Sequence, residues 1–221
     1  MKNFNHQRDF RLYARDFKLS SNTLDHIHNS LTPYIPEERS MNVVMMDVFS
    51  RLLMDRIIFL AGEVNETMAL YTMAQLQYLD SVEETDITFQ INTPGGHVDS
   101  GLAIIDVMNY IKSDIITINI SLAASMGSLL LGAGTKGKRY SLNFAKTMLH
   151  QSSGGAFGNI QDAEITMNEW KKINDVLFEL LGQYCGKDAE TVKKDATRDL
   201  WLSAADAKEY GIIDDIIINK P

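Results

Sequence analysis

The sequence predicts an α/β fold of repeated β-α units, with a parallel sheet covered by helices. Three observations carry that expectation. Short β-branched and aromatic runs alternate with segments of helical periodicity, three such β-then-α units follow one another directly, and Gly, Pro or Ser punctuates the junctions at Ala61-Gly62, Pro94-Gly95-Gly96 and Ser125. Connections between successive parallel strands are right-handed, and in such sheets ligand chemistry gathers at the carboxyl ends of the strands.

Residues 1–33 are polar and mixed in charge, and with Thr32-Pro-Tyr-Ile-Pro-Glu-Glu-Arg39 they read as an extended arm or loop outside any core. Asp25, His26 and His28 lie in this arm, too few ligands to specify a metal. The run from Asp55 to Leu60 reads as the first strand of the units, and Asn65 then caps a helix with Ala69, Met73, Leu76 and Leu79 on one face. Asp86 to Asn92 alternates as a strand and stops at Pro94-Gly95-Gly96, after which Leu102, Ile105, Met108 and Ile111 share a helical face. Ile115 to Ile120 is the third strand and Ala124 to Gly134 the third helix.

Beyond it, Lys146 to Gln151 reads as another strand, and a glycine-broken stretch from Ser153 to Gly158 follows. A long amphipathic helix places Ile165, Ile173, Val176, Leu177, Leu180 and Tyr184 on one side and ends at Gly186. A charged helical segment carries Asp195 and Asp199, Ser203 caps a short helix, and Ile212 to Ile218 is the last strand.

Composition sets bounds on function. At 221 residues, 45% hydrophobic and 23% charged, the chain has the make-up of a soluble globular protein with one well-buried core. The net charge of -8, with no Lys/Arg run longer than two, argues against a nucleic-acid partner. No apolar run approaches the ~20 residues that cross a bilayer, and no secretory signal opens the chain, so a cytoplasmic location without membrane contact is expected. The single cysteine, Cys185, closes no disulfide within the chain and reads as a buried structural thiol.

Ser125 stands where a strand gives way to a helix, a sharp turn that holds a hydroxyl out of the sheet beside N–H groups at a helix N-terminus. Small neighbours, Ala123, Ala124 and Gly127, leave room for a substrate carbonyl. Serine attacks only when a base takes its proton, and His97 and His150 are the imidazoles within the folded region. His150 ends a strand after the Ser125 unit and can emerge at the same sheet edge. Asp162, Asp175, Asp195 and Asp199 are all candidates to orient the imidazole, and spacing does not choose among them. A backbone N–H near Gly96, together with that of Met126, can face one carbonyl oxygen as it becomes an oxyanion.

Taken in order, Ile91-Asn-Thr-Pro-Gly-Gly96, Ala123-Ala-Ser-Met-Gly127, Gly134-Thr-Lys-Gly-Lys-Arg139, Met148-Leu-His-Gln151 with Gly154-Gly155, and Arg198-Asp199 with Leu202-Ser-Ala204 resemble the signature set of the proteolytic subunit of the ATP-dependent Clp protease. The resemblance runs from about Pro33 to the C-terminus. It implies the ClpP/crotonase-type fold with a protruding handle helix over about 159–185, a single peptidase domain over 34–221, an axial loop near 34–45, and a pro-segment or flexible arm over 1–33. It implies a catalytic triad of Ser125, His150 and Asp199, an oxyanion hole of the Gly96 and Met126 N–H groups, and a peptide-binding stretch that includes Gln151, Ser152, Ser153, Gly154 and Gly155.

The function implied is that of a self-compartmentalised serine endopeptidase, which hydrolyses unfolded proteins to short peptides inside two stacked heptameric rings, a tetradecamer. No cofactor belongs to the chain itself, since ATP is used by the AAA+ unfoldase that feeds it. There are departures from the family's pattern. Ser152 stands where proline is usual, Lys146 where arginine is usual, and Thr88 and Gln90 where aromatic side chains line the cleft that receives the unfoldase; losing such anchors predicts weak docking. These departures motivate an alternative, a weakly active or regulatory ring subunit that needs a second, more typical partner subunit. A crotonase-like acyl-CoA enzyme would share the fold but has no use for the triad.

Overall fold

The computed structural model describes residues 34–39, 42–155 and 158–218. The expectation for residues 1–33 therefore lies outside the described residues, as do Ala156 and Phe157 and the side chains of residues 34–45. The chain divides into two compact units, residues 1–55 and 56–221.

In the first unit, strands β1 (Tyr34–Arg39) and β2 (Asn42–Asp47) pair antiparallel with Tyr34 opposite Asp47, where the sequence suggests only an extended arm or loop. Helix α1 (Val48–Met54) follows directly, and the Asp47 carboxylate caps it by accepting the Ser50 N–H at 3.0 Å.

The second unit opens with the expected units: β3 (Ile57–Ala61) and α2 (Glu66–Val82), β4 (Ile87–Thr93) and α3 (Val98–Tyr110), β5 (Ile115–Ala124) and α4 (Met126–Gly132). Strands β3, β4 and β5 are parallel neighbours in that order. Asn65 caps α2 as expected, accepting the Met68 N–H at 2.9 Å. Then come β6 (Arg139–Leu142), β7 (Lys146–Leu149), α5 (Ile160–Cys185), α6 (Ala189–Asp195), β8 (Leu200–Leu202), α7 (Ala204–Tyr210) and β9 (Asp215–Ile217). The result is a mixed α/β architecture with a mostly parallel sheet and seven helices among the described residues.

Strand β5 organises the sheet because it changes partner along its length. Thr117 to Asn119 pair with β6, while Leu122 to Ala124 pair with β7, both parallel. Strand β6 continues to β9, and β7 takes β8 as an antiparallel neighbour. The core lies beside this strand. Every residue of α4 is buried, and the helix packs on β4, β5 and β7 as well as against α3 and α5. Its Leu129, Leu130 and Leu131, each worth about 1.5–3 kcal/mol when withdrawn from water, clamp the carboxyl end of β5.

Several elements differ from the expectation. Strand β5 runs to Ala124, four residues past the expected Ile120, and α4 starts at Met126, because Leu122 to Ala124 are held by β7 rather than released to a helix. Strand β6 is hidden from a pattern reading by Arg139, a charged residue only 1% exposed that its neighbours neutralise. Strand β8 has three residues, and Asp199 precedes it rather than ending a helix. On α5 the buried stripe is Leu177, Phe178, Leu181, Gly182 and Cys185, whereas Ile165 and Val176 are exposed. The helix carries two apolar stripes and only its second half packs on the core, a choice periodicity alone does not make.

Candidate active site

Ser125 sits between β5 and α4 with φ 56° and ψ −123°, and it and Arg56 are the only described non-glycine residues at positive φ. Such a conformation costs about 1–3 kcal/mol and persists only where the surroundings impose it. Here the Ser125 N–H donates to the Met148 carbonyl at 2.9 Å, and the Ser125 carbonyl accepts from the Ser128 N–H at 2.9 Å and the Ser128 hydroxyl at 2.6 Å. Its side chain makes no capping bond to α4, so the hydroxyl is not spent on the helix.

Gly95 explains the tightness of the turn that faces it. A Cβ on Gly95, at φ +93°, would lie 2.7 Å from the Ser125 Cβ, 2.7 Å from the Ala124 carbonyl oxygen and 3.0 Å from the Met126 nitrogen. The Val64 N–H donates to the Gly95 carbonyl at 2.8 Å and the His97 N–H to the Val64 carbonyl at 2.7 Å, which fixes the Gly95-Gly96 turn from the other side. Among the described residues, no acceptor is bonded to the N–H of Gly96 or of Met126. Two unspent donors therefore lie near this turn, one at the start of α4 next to Ser125 and one in the Gly95-Gly96 turn that faces it.

The sheet register brings His150 and Asp199 to the same edge. Ala124 is opposite Met148 across β5 and β7, so Ser125 and the residues just past Leu149 leave the sheet side by side. Leu149 is opposite Leu200 across β7 and β8, and one step further on this antiparallel ladder sets His150 against Asp199. The His150 Nδ1 lies 3.4 Å from the Asp199 Oδ1, with His150 a quarter exposed and Asp199 60% exposed. The other aspartates are occupied elsewhere: Asp162 on Asn159 at the start of α5, Asp175 on Lys193 at 2.9 Å, and Asp195 on the Tyr210 hydroxyl at 3.1 Å. His97 is turned to Ser100, its Nδ1 being 2.8 Å from the Ser100 hydroxyl.

Ser125 and His150 share the wall of a small pocket of about 20 Å³, closed by Val98, Ser152, Asn174 and the apolar Leu177, Phe178 and Leu181. Residues 151–155 follow His150 without joining a strand. The Ser152 N–H and hydroxyl both donate to the Asn174 side-chain oxygen at 3.0 Å, and the Gln151 amide reaches the Thr197 carbonyl at 3.5 Å. Gly154 lies under the Trp170 indole, where a Cβ would meet the ring at 1.8 Å. A serine in a strained turn, an imidazole with an aspartate behind it, and free N–H donors beside them are the parts that acyl transfer requires.

The sequence profile of the family described as Clp protease matches residues 38–220. The chain belongs to the Clp protease family. It is 46% identical over 218 residues to the ATP-dependent Clp protease proteolytic subunit of Bacteroides fragilis (strain YCH46), covering 96% of this chain and 99% of that one. Identity to the same subunit of Bacteroides thetaiotaomicron is also 46% with the same coverage, and to that of Porphyromonas gingivalis it is 45%, over 95% of this chain and 97% of the relative.

Within this Clp protease chain, pattern reading missed Asn174 and Trp170, which support the segment after His150 from α5. Neither has a local signal, since a polar or aromatic residue on a long helix is unremarkable until the fold shows what it touches. Thr88 and Gln90 lie half-buried on the face of β4 opposite the buried Phe89 and Ile91, and Tyr110 at the end of α3 is 82% exposed. Among the described residues no group of His, Cys, Asp and Glu is arranged to hold a metal, and no helix is long and apolar enough to cross a membrane.

A second polar cluster braces the sheet below the site. The Arg139 guanidinium donates to both Asp214 oxygens at 2.7 and 3.0 Å, to the Tyr184 carbonyl at 2.8 Å and to the Gly211 carbonyl at 3.0 Å, so it ties β6 to the ends of α5 and α7. Burial raises the pKa of the Asp214 carboxyl, but hydrogen bonds from the Arg139 side chain and backbone and from the Gly137 N–H outweigh it and hold the group at about 2. Burial also pushes the Cys185 thiol up to about 11, in keeping with the structural role expected for it.

Proposed function

We propose that this Clp protease chain is a serine endopeptidase whose nucleophile is Ser125, with His150 as base and Asp199 as the group that orients the imidazole. The observation that carries the reading is the register linking β5, β7 and β8, because it delivers these three residues to one sheet edge with Ser125 in an imposed positive-φ turn. In attack, the Ser125 hydroxyl proton passes to His150 as the Oγ–carbonyl bond forms. His150 then gives that proton to the departing amine, and a water activated by the same imidazole releases the acyl group. Asp199 holds the tautomer and stabilises the imidazolium. The Gly96 and Met126 N–H groups receive the oxyanion, each such donor being worth about 3 kcal/mol of barrier.

The peptide lies along Gln151, Ser152, Ser153, Gly154 and Gly155, where glycines leave the backbone accessible. The chain works in the cytoplasm as heptameric rings stacked into a tetradecamer, with α5 as the handle between rings, and it needs no cofactor of its own. An AAA+ unfoldase supplies unfolded polypeptide at the expense of ATP, and Thr88 and Gln90 make that docking weak. Residues 34–45 belong to an axial loop, and residues 1–33 are a pro-segment or arm. The test is Ser125→Ala, which should abolish peptide hydrolysis while gel filtration shows the same assembly as the unsubstituted chain. Full activity in that variant would overturn the assignment.

A further inference from the structure

Beside the small pocket at Ser125 lies a larger cleft of about 240 Å³, lined by Gly96, His97, Val98, Asp99, Ser152, Ser153, Trp170 and Ile173. Val98 and Ser152 belong to both, so the two spaces adjoin. We propose that this cleft is a side-chain subsite of the peptidase and that it selects a cationic side chain, arginine or lysine, near the scissile bond. The proposal rests on the peptidase reading given above and adds a substrate class to it.

The chemistry of the walls carries the proposal. Asp99 is the one carboxylate lining the cleft, and no lysine or arginine lines it. Its nearest cationic candidate is the His97 Nε2 at 4.0 Å, while the His97 Nδ1 is already engaged with Ser100 at 2.8 Å. The lysines next to Trp170 do not neutralise Asp99, because Lys171 borders a separate groove and Lys172 pairs with Glu169 at 3.1 Å. Trp170 brings an indole to the same cleft, held in place over Gly154, where no larger residue fits.

An aromatic face and an unneutralised carboxylate on one cavity match a long apolar stem ending in a cation, which gains from cation–π contact and charge pairing together. An anionic side chain is the competing occupant, since the cleft includes the N-terminus of α3. Asp99 already stands in the first turn of that helix, so a second anion would meet its repulsion.

Asp99 is 74% exposed on its side chain, so water screens it, and the gain expected from each of the two contacts is about threefold to fivefold, or about tenfold together. The experiment digests a randomised peptide library with the assembled full chain and reads the cleavage points by mass spectrometry. It then compares kcat/KM for matched peptides with arginine, norleucine or glutamate at the selected position. The expected result is enrichment of Arg and Lys at one fixed position, with an Arg-to-norleucine ratio of about ten. That ratio should fall to about three in Asp99→Asn and in Trp170→Leu, each of which removes one of the two contacts, and toward one in the double variant, and Asp99→Lys should turn the preference toward glutamate. A ratio near one at every position, or a basic preference that Asp99→Asn leaves intact, overturns the proposal.

A binding measurement separates this proposal from the peptidase assignment. In a Ser125→Ala, Trp201→Phe chain, Trp170 is the remaining tryptophan, and its fluorescence should respond to the arginine peptide at about tenfold lower concentration than to the norleucine peptide. Selective binding with no hydrolysis by the unsubstituted chain would sustain the cleft and sink the peptidase assignment. Hydrolysis dependent on Ser125 without basic selectivity would do the reverse.

Discussion

Gly95→Ala offers a way to move the nucleophile without touching it. The new Cβ would sit 2.7 Å from the Ser125 Cβ and from the Ala124 carbonyl oxygen, against an ordinary contact of 3.4 Å or more, so something must yield by about 0.7 Å. All three nearest atoms, Ala124 O, Ser125 Cβ and Met126 N, belong to the strained turn itself, and the buried α4 behind them cannot retreat. A displacement approaching 1 Å at reacting groups costs roughly 10²-fold in rate. The φ of +93° adds a backbone penalty of about 1–2 kcal/mol for a residue bearing a Cβ.

Gly62→Ala is the matched control, because Gly62 has nearly the same φ, +88°, and nothing within 4 Å of its added Cβ. The two variants share the backbone penalty and differ in the contact with Ser125. Steady-state hydrolysis of a fluorogenic peptide, with thermal melts and gel filtration alongside, should show a lower Tm in both variants, with the larger loss in Gly95→Ala because of the added overpacking, and an unchanged assembly. The kcat should drop about a hundredfold in Gly95→Ala and hardly at all in Gly62→Ala. Equal activities in the two would mean that the Gly95 contact does not position Ser125, and the account of the turn would be wrong.

Other expectations follow from the same geometry. Asp199→Asn should lower kcat by about 10³-fold or more with little change in KM, as measured by steady-state kinetics, because the imidazole loses its orienting anion. Asn174→Leu removes the acceptor of both Ser152 donors and should lower kcat/KM about tenfold while the melting temperature moves little. The Asp214 carboxyl is ionised down to about 2 when folded, against an ordinary value of 3.8, so its stabilisation is full above 3.8 and lost as pH falls toward 2. Denaturant titrations should show roughly 2 kcal/mol of that acid-range loss in the unsubstituted chain. Asp214→Asn lacks that slope and is less stable by about 3–5 kcal/mol, because Arg139 is left buried without its partner. Cys185, with its thiol at about 11, should resist iodoacetamide in the folded chain and react fully once guanidinium unfolds it.

The sequence exposes the β-α units because each strand is a compact apolar run, α2 and α3 each show an apolar face, and side-chain caps mark helix starts such as those at Asn65 and Ser203. It also marks Ser125, since a serine between a strand and a buried helix is a local feature. The pairing of His150 with Asp199 is not local. It depends on an antiparallel step between β7 and a three-residue β8 some fifty residues later, and nothing in the spacing distinguishes Asp199 from Asp175 or Asp195 until the ladder is in place. Family resemblance supplied that choice. Strand β6 escapes because its inward residues are the polar Arg139 and Ser141, and the charge of Arg139, whose partner Asp214 lies on a distant loop, reads as surface. The exposed apolar residues of α5 mislead for the opposite reason: Ile165 and Val176 look like core by periodicity but lie on the stripe that this chain alone does not cover.

The central claim, that Ser125 is an activated nucleophile, is tested most directly by labelling. The purified chain, sized by gel filtration, would be treated with a fluorophosphonate that reacts only with activated serines, and the adduct located by mass mapping. The account predicts a single adduct on Ser125 in the assembled fraction, lost in His150→Ala. An assembled fraction that takes up no label, or carries it on another serine, would contradict it.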